Sequence, residues 1–123
     1  MFELSARTHF SAAHHLANYD GNCARWHGHN WEVTATLAVE QLNDLGIGVD
    51  FRDFKKLLRQ VLETLDHTDL NQVPALAGVN PTSEIIARHI YRELQAHFAG
   101  DPNVRIRRVQ VCETPDTAAT YSE

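Results

Sequence analysis

Cationic side chains are in short supply in this chain. Eleven lysines and arginines stand against 16 aspartates and glutamates, a formal net charge of −5. Such a balance argues against a basic face able to hold a nucleic-acid backbone or an anionic membrane. No apolar run approaches bilayer length, and Met1 is followed by no signal-peptide pattern, so neither a membrane span nor an export route is expected. Cysteine is limited to Cys23 and Cys112, which suits a reduced, cytoplasmic protein better than a disulfide scaffold. There is no internal repeat and no low-complexity tract. At 123 residues the expectation is one domain, residues 1–123.

Histidine, by contrast, is plentiful, with eight in so short a chain. Two of them stand in the run Cys23-Ala24-Arg25-Trp26-His27-Gly28-His29. On an extended segment residues i and i+2 point to the same side, so His27 and His29 can converge on one ion. Gly28 is expected to relieve crowding of the backbone between them. A third imidazole comes from an alternating segment, in which Phe2, Leu4, Ala6, Thr8, Phe10, Ala12 and His14 share one side of a strand. His14 lies on that apolar side and His15 does not, so His14 is the candidate ligand; a bulge near Ala12-Ala13 would reverse the choice. Trp31, Val33, Ala35, Leu37 and Val39 alternate in the same way, and the pattern extends backwards through His29 and His27. Three protein nitrogens with a fourth position open form the donor set of a catalytic zinc site rather than a structural one.

The remaining elements follow from periodicity. Asp50 caps an expected helix whose apolar stripe is Phe51, Phe54, Leu57, Leu58, Val61, Leu62 and Leu65. A polar loop should run from His67 to Pro74. A second helix is expected from Asn80-Pro81, with proline at its first position, burying Ile86, Ile90, Leu94 and Phe98. Two strands close the chain. In the first, Val104 and Ile106 have one parity and Val109, Val111 and Glu113 the other, which calls for a bulge at Arg107-Arg108. The second covers about Ala118 to Tyr121. The expected fold is α+β, a four-stranded ββααββ antiparallel sheet with two helices on one face. Its two open edges are of the kind that a symmetric oligomer covers.

Three further groups carry chemistry. Cys23, four residues before His27, is placed either to close the site as a fourth ligand or to stand beside it as a base, and the spacing permits both. Asp66-His67 sets a carboxylate beside an imidazole at the end of an apolar helix. Adjacent side chains rarely bond each other well, so another acid is a candidate partner for His67. Glu113 ends an apolar strand face. There it is either exposed or paired with a ligand carrying adjacent N–H groups, such as a guanine- or pterin-like ring.

Taken in order, Phe10-Ser11-Ala12-Ala13-His14, Cys23 through His27-Gly28-His29, Val49-Asp50-Phe51, Leu65-Asp66-His67, Asn80-Pro81-Thr82-Ser83-Glu84 and Cys112-Glu113-Thr114 resemble the 6-pyruvoyl-tetrahydropterin synthase family along nearly the whole chain. Three residues between Cys23 and His27 are most similar to its bacterial carboxy-forming branch. The resemblance implies the tunnelling fold (T-fold), in which a homo-oligomer, commonly a hexamer built as a dimer of trimers, joins its sheets into a barrel with active sites shared between subunits. It implies Zn2+ on His14, His27 and His29, with Cys23 as proton acceptor and Asp66 and His67 as a proton relay. Glu113 would anchor the pterin and sometimes join the relay, with Thr82 and Ser83 helping to seat the ring. The implied substrate is a small molecule, 7,8-dihydroneopterin triphosphate. The implied reaction yields 6-carboxy-5,6,7,8-tetrahydropterin, acetaldehyde and triphosphate on the way to queuosine. Simple triphosphate elimination to the pyruvoyl product, and a non-catalytic zinc-binding paralogue, are the alternatives.

Overall fold

A computed structural model describes residues 1–123. The chain runs β1 (Phe2–His14), β2 (His27–Val39), α1 (Phe51–Leu62), β3 (Thr68–Asp69), α2 (Ser83–His97), β4 (Val104–Thr114) and β5 (Thr117–Tyr121). The architecture is α+β. The sheet order is β3-β1-β2-β4-β5, and the sheet does not close on itself within the chain. No helix is long and apolar enough to cross a membrane.

β1 and β2 form an antiparallel pair in unbroken register from Phe2↔Val39 to His14↔His27. No bulge interrupts Ala12-Ala13, so the alternation read from the sequence carries through to the strand end. Phe10, Ala12 and His14 are buried, as are Trp31, Val33 and Leu37 on the partner. β4 pairs with β2 on the other side, and its register slips by one residue where Thr36 faces Arg108 and Leu37 faces Ile106. Arg107 is the extra residue. This bulge keeps Val104 and Ile106 on the same core-facing side as Val109 and Val111 despite their opposite parity.

Both helices pack on one face. Asp50 caps α1, its carboxylate accepting from the Arg52 N–H at 2.8 Å. Phe54, Leu58 and Leu62 fill the core, and Leu65 follows them just beyond the helix. Phe51, expected in the stripe, is instead 56% exposed; it is the first residue of α1, and burial begins only at Phe54. From α2, Ile86, Ile90 and Leu94 join the same cluster. Emptying one such buried leucine position typically costs about 2–5 kcal/mol, so this layer carries much of the stability of the sheet that bears the site.

Two expectations need correction. The stretch from His67 to Pro74 is not a plain polar loop. Thr68 and Asp69 add a short strand parallel to β1, opposite Ala12 and Ala13, so the sheet is five-stranded and mixed rather than four-stranded and antiparallel. Tight turns then bury Leu70, Val73 and Leu76. A two-residue strand is too short to leave a periodic signature. The second correction concerns α2, which begins at Ser83 with Thr82 as its cap, so Pro81 lies before the helix rather than at its first position. The Thr82 hydroxyl accepts from the Ile85 N–H at 3.3 Å, and this bond places threonine, not asparagine, at the boundary.

Candidate metal centre

The register of β1 on β2 sets His14 directly opposite His27 and puts His29 opposite Ala12. The three rings therefore crowd one spot. Centroids lie 4.4 Å apart for His14 and His27, 4.8 Å for His27 and His29, and 5.4 Å for His14 and His29. Trp31, next in phase after His29, walls the inner side, with its ring 4.9 Å from His14 and 5.2 Å from His29. Its indole N–H donates to the Ala12 carbonyl at 3.2 Å, which fixes the wall to the strand bearing His14. Gly28 does not play the expected part. A Cβ there would meet the Ala12 carbonyl at 3.9 Å, an ordinary contact, so space alone does not demand glycine.

Glu113 completes the cluster. One ligand atom from each of His14, His27, His29 and Glu113 lies within 4.8 Å of all the others. Cys23 is not a member. Glu113 Oε1 sits 3.1 Å from His14 Nε2 and 3.6 Å from His29 Nε2, yet both nitrogens are buried and hydrogen-bonded to nothing. The opposite nitrogen of His14 donates to the Pro81 carbonyl at 2.8 Å, and that of His27 to the Arg25 carbonyl at 2.7 Å. With Nδ1 carrying the proton, Nε2 of a neutral His14 presents a bare lone pair to a carboxylate oxygen. Lone pairs and a carboxylate facing one another in a partly desolvated pocket are relieved by positive charge between them, a proton or a metal ion. The donor set, imidazole nitrogen plus carboxylate oxygen, is one that a divalent transition ion accepts.

Burial is the main force on the two inner rings. It pushes His14 and His29 below the ordinary histidine value, against the Pro81 carbonyl, which pulls His14 up, and against Glu113, which pulls both up. Both rings therefore take up a proton, which would compete with a metal, less readily than a free imidazole does. The sign for stability follows. Between the lowered native value and the ordinary value near about 6.5, the unfolded chain binds protons that the folded chain refuses, so folding stability rises with pH there. The metal-free protein is expected to show a lower urea midpoint at pH 5.5 than at pH 7.5. His89, also lowered by burial, acts in the same direction, so the comparison is made in a His89→Asn background. A midpoint independent of pH in that background would contradict the account.

The other expected site residues are placed as follows. Asp66 Oδ1 lies 2.9 Å from His67 Nδ1 and accepts from the Ser11 N–H at 2.9 Å. The expectation that adjacent side chains would not pair is therefore corrected. His67 takes a left-handed backbone, φ 56°, with its own N–H bonded to the Ser11 carbonyl, and that turn swings its ring back onto Asp66. The Ser11 amide, and then His67, hold the Asp66 carboxyl below its ordinary range. The His67 side chain is 82% exposed. Cys23 lies half-buried on a short turn, Asn22–Ala24, with its carbonyl accepting from the Leu16 N–H at 2.8 Å. Thr82 uses its hydroxyl to cap α2, and Ser83 begins the helix, half-buried. His15, assigned to solvent or a neighbour, packs its ring 4.2 Å from Trp26.

Sequence reasoning missed the Trp31 wall, the Pro81 and Arg25 carbonyls, and the nearness of Glu113 to the imidazoles. Trp31 had a visible signal, being in phase with His29, and so did Glu113, which shares the parity of the inward Val109 and Val111. The carbonyls belong to residues whose side chains advertise nothing.

Comparison with known proteins agrees with this geometry. The pattern of the family described as 6-pyruvoyl tetrahydropterin synthase matches residues 3–123. The 6-carboxy-5,6,7,8-tetrahydropterin synthase of Bacillus subtilis (strain 168) is 36% identical, over 98% of this chain and 84% of that protein. The human 6-pyruvoyl tetrahydrobiopterin synthase is 30% identical, over 97% of this chain and 90% of its own length. Among solved structures, the Caenorhabditis elegans 6-pyruvoyl tetrahydropterin synthase superposes with a TM-score of 0.87 at 27% identity, over 99% of this chain and 95% of that one. With its residues 3–123 matched throughout and its fold shared, this chain belongs to the 6-pyruvoyl tetrahydropterin synthase family.

Proposed function

We propose that the chain is a zinc-dependent 6-carboxy-5,6,7,8-tetrahydropterin synthase. It takes 7,8-dihydroneopterin triphosphate and water to 6-carboxy-5,6,7,8-tetrahydropterin, acetaldehyde and triphosphate, a carbon–carbon lyase step feeding queuosine biosynthesis. The observation that carries the reading is the pair of buried, unpartnered imidazole nitrogens beside Glu113. The carboxy-forming outcome draws on relatives of that name in Bacillus subtilis and in Synechocystis sp., each 36% identical. The human relative of the pyruvoyl name, at 30%, supports the second reading, triphosphate elimination from the same substrate.

His14, His27 and His29 would hold the zinc, which would polarise side-chain oxygens of the substrate and stabilise the negative charge that develops on them. Cys23 takes a proton from the substrate side chain. His67, oriented by Asp66, returns a proton, and its exposed ring can exchange that proton with water. Glu113 accepts from adjacent N–H groups of the pterin once its carboxylate turns away from the imidazoles. Thr82 and Ser83 seat the ring at the start of α2. The working form is a homo-oligomer, a hexamer by family resemblance, in which sheets joined through the open edges form a barrel.

The test is incubation of the zinc-loaded protein with 7,8-dihydroneopterin triphosphate. Pterin products are identified by mass, and acetaldehyde is trapped by a coupled alcohol dehydrogenase. Equimolar acetaldehyde and carboxypterin are expected. A pyruvoyl product without acetaldehyde would establish the second reading, and absence of turnover would leave a zinc-binding module.

A further inference from the structure

Beyond His14 the chain leaves the sheet, yet most of its backbone groups stay engaged. The Asn71 amide meets both backbone groups of His15, its Oδ1 accepting from the His15 N–H at 3.0 Å and its Nδ2 donating to the His15 carbonyl at 3.1 Å. Asn80 does the same for Ala17, at 2.9 Å and 3.0 Å. Between them, the Leu16 N–H turns the other way and donates to the Cys23 carbonyl. Two asparagine side chains thus play the part of a neighbouring strand along residues 15–17, and the opposite edge of that stretch ties down the turn bearing Cys23. A planar amide that bonds donor and acceptor together fixes position and orientation at once, as a single hydrogen bond does not.

Asn80 also belongs to a segment with two other duties. Pro81, next to it, accepts from His14 Nδ1, and Thr82 caps α2. Three consecutive residues therefore reference the Cys23 turn, one metal-ligand candidate and a helix start to the same piece of backbone. We propose that Asn80, assisted by Asn71, is a positioning residue that holds the Cys23 turn at a set place relative to the imidazole cluster. The inference rests on the proposed function where it concerns turnover, because it assumes that Cys23 is the base. A displacement of about 1 Å in such a group costs up to roughly 10²-fold in rate.

The test uses Asn80→Ala, Asn80→Asp and Asn71→Ala in the full zinc-loaded chain. The aspartate is isosteric but sets a carboxylate oxygen against the Ala17 carbonyl, so it should loosen the turn at least as much as alanine does. Three quantities are read: zinc content, kcat and KM, and the rates at which iodoacetamide alkylates Cys23 and Cys112, resolved by peptide mass. Cys112, half-buried on β4, reports general loosening. The expected result is a kcat about 10–100-fold lower with KM and zinc little changed, and a raised ratio of Cys23 to Cys112 alkylation. Unchanged kcat with an unchanged ratio would overturn the proposal. So would a kcat loss with an unchanged ratio, or parallel rises at both cysteines with loss of zinc, which would mark a merely structural residue. If one substitution prevents folding, the other two are read by the same criteria. Should the wild-type chain turn over no substrate, the thiol-base reading fails, while the alkylation ratio alone still decides whether Asn80 sets the turn.

Discussion

Alanine at His27 is expected to abolish stoichiometric zinc and to lower turnover by at least about 10²–10³-fold, the loss that follows when a single group stabilising transition-state charge is removed. His27 is the informative choice among the three rings. His14 is almost fully buried and bonded to Pro81, so its truncation would leave a cavity and an unpaired carbonyl, and folding losses would obscure the result. His27 is only half-buried, and its second nitrogen bonds the nearby Arg25 carbonyl at an exposed position. The fold should survive its loss. The measurement is metal content by mass spectrometry alongside a thermal melt and a rate assay. A His27→Ala protein that keeps one equivalent of zinc and its rate would mean that the ion sits elsewhere.

The second large effect separates ligand from base at Cys23. Its sulfur is outside the group of four ligand atoms, which is drawn from His14, His27, His29 and Glu113. Cys23→Ala should therefore keep zinc and lose turnover by about 10²–10⁴-fold, the range attributed to a positioned proton-transfer group. If sulfur completed the coordination sphere, the same variant would instead bind zinc far more weakly. Equilibrium competition with a chromogenic chelator measures the affinity, and initial rates measure the turnover. Retained rate would remove the thiol from the reaction, and a sharp fall in affinity would make the site a structural one.

Much of the centre was open to reading from residues alone, for a simple reason. Alternation assigns every side chain of an uninterrupted strand to a face, so His14 could be told from His15, and His27 and His29 could be joined to the face of Trp31. The bulge in β4 was visible because Val104 and Ile106 could not share a core with Val109 and Val111 without one. The six motif blocks from Phe10 to Thr114 made the family legible as well. Other features left no trace. β3 has two residues and no period. The pairing of Asp66 with His67 depends on a left-handed turn at His67, which side-chain identity does not announce. The start of α2 was misplaced because Pro81 and Thr82 both suit a helix boundary, and only the hydrogen bond to Ile85 decides between them.

Arg107 has a consequence that reaches the far end of its strand. Unpaired in the bulge, it drops out of the alternation, so the bulge determines which of two adjacent side chains, Cys112 or Glu113, is offered to the imidazoles. With it, the histidines meet a hard oxygen donor that can swing away to other partners. Were β4 to run on from Ile106 in regular alternation with Arg107 kept, the inward positions would fall on Arg108, Gln110 and Cys112, and the histidines would meet a soft sulfur donor, suited to gripping a metal ion and excluding a fourth exchangeable ligand. The donor offered to the imidazoles thus turns on one backbone irregularity some distance along the strand.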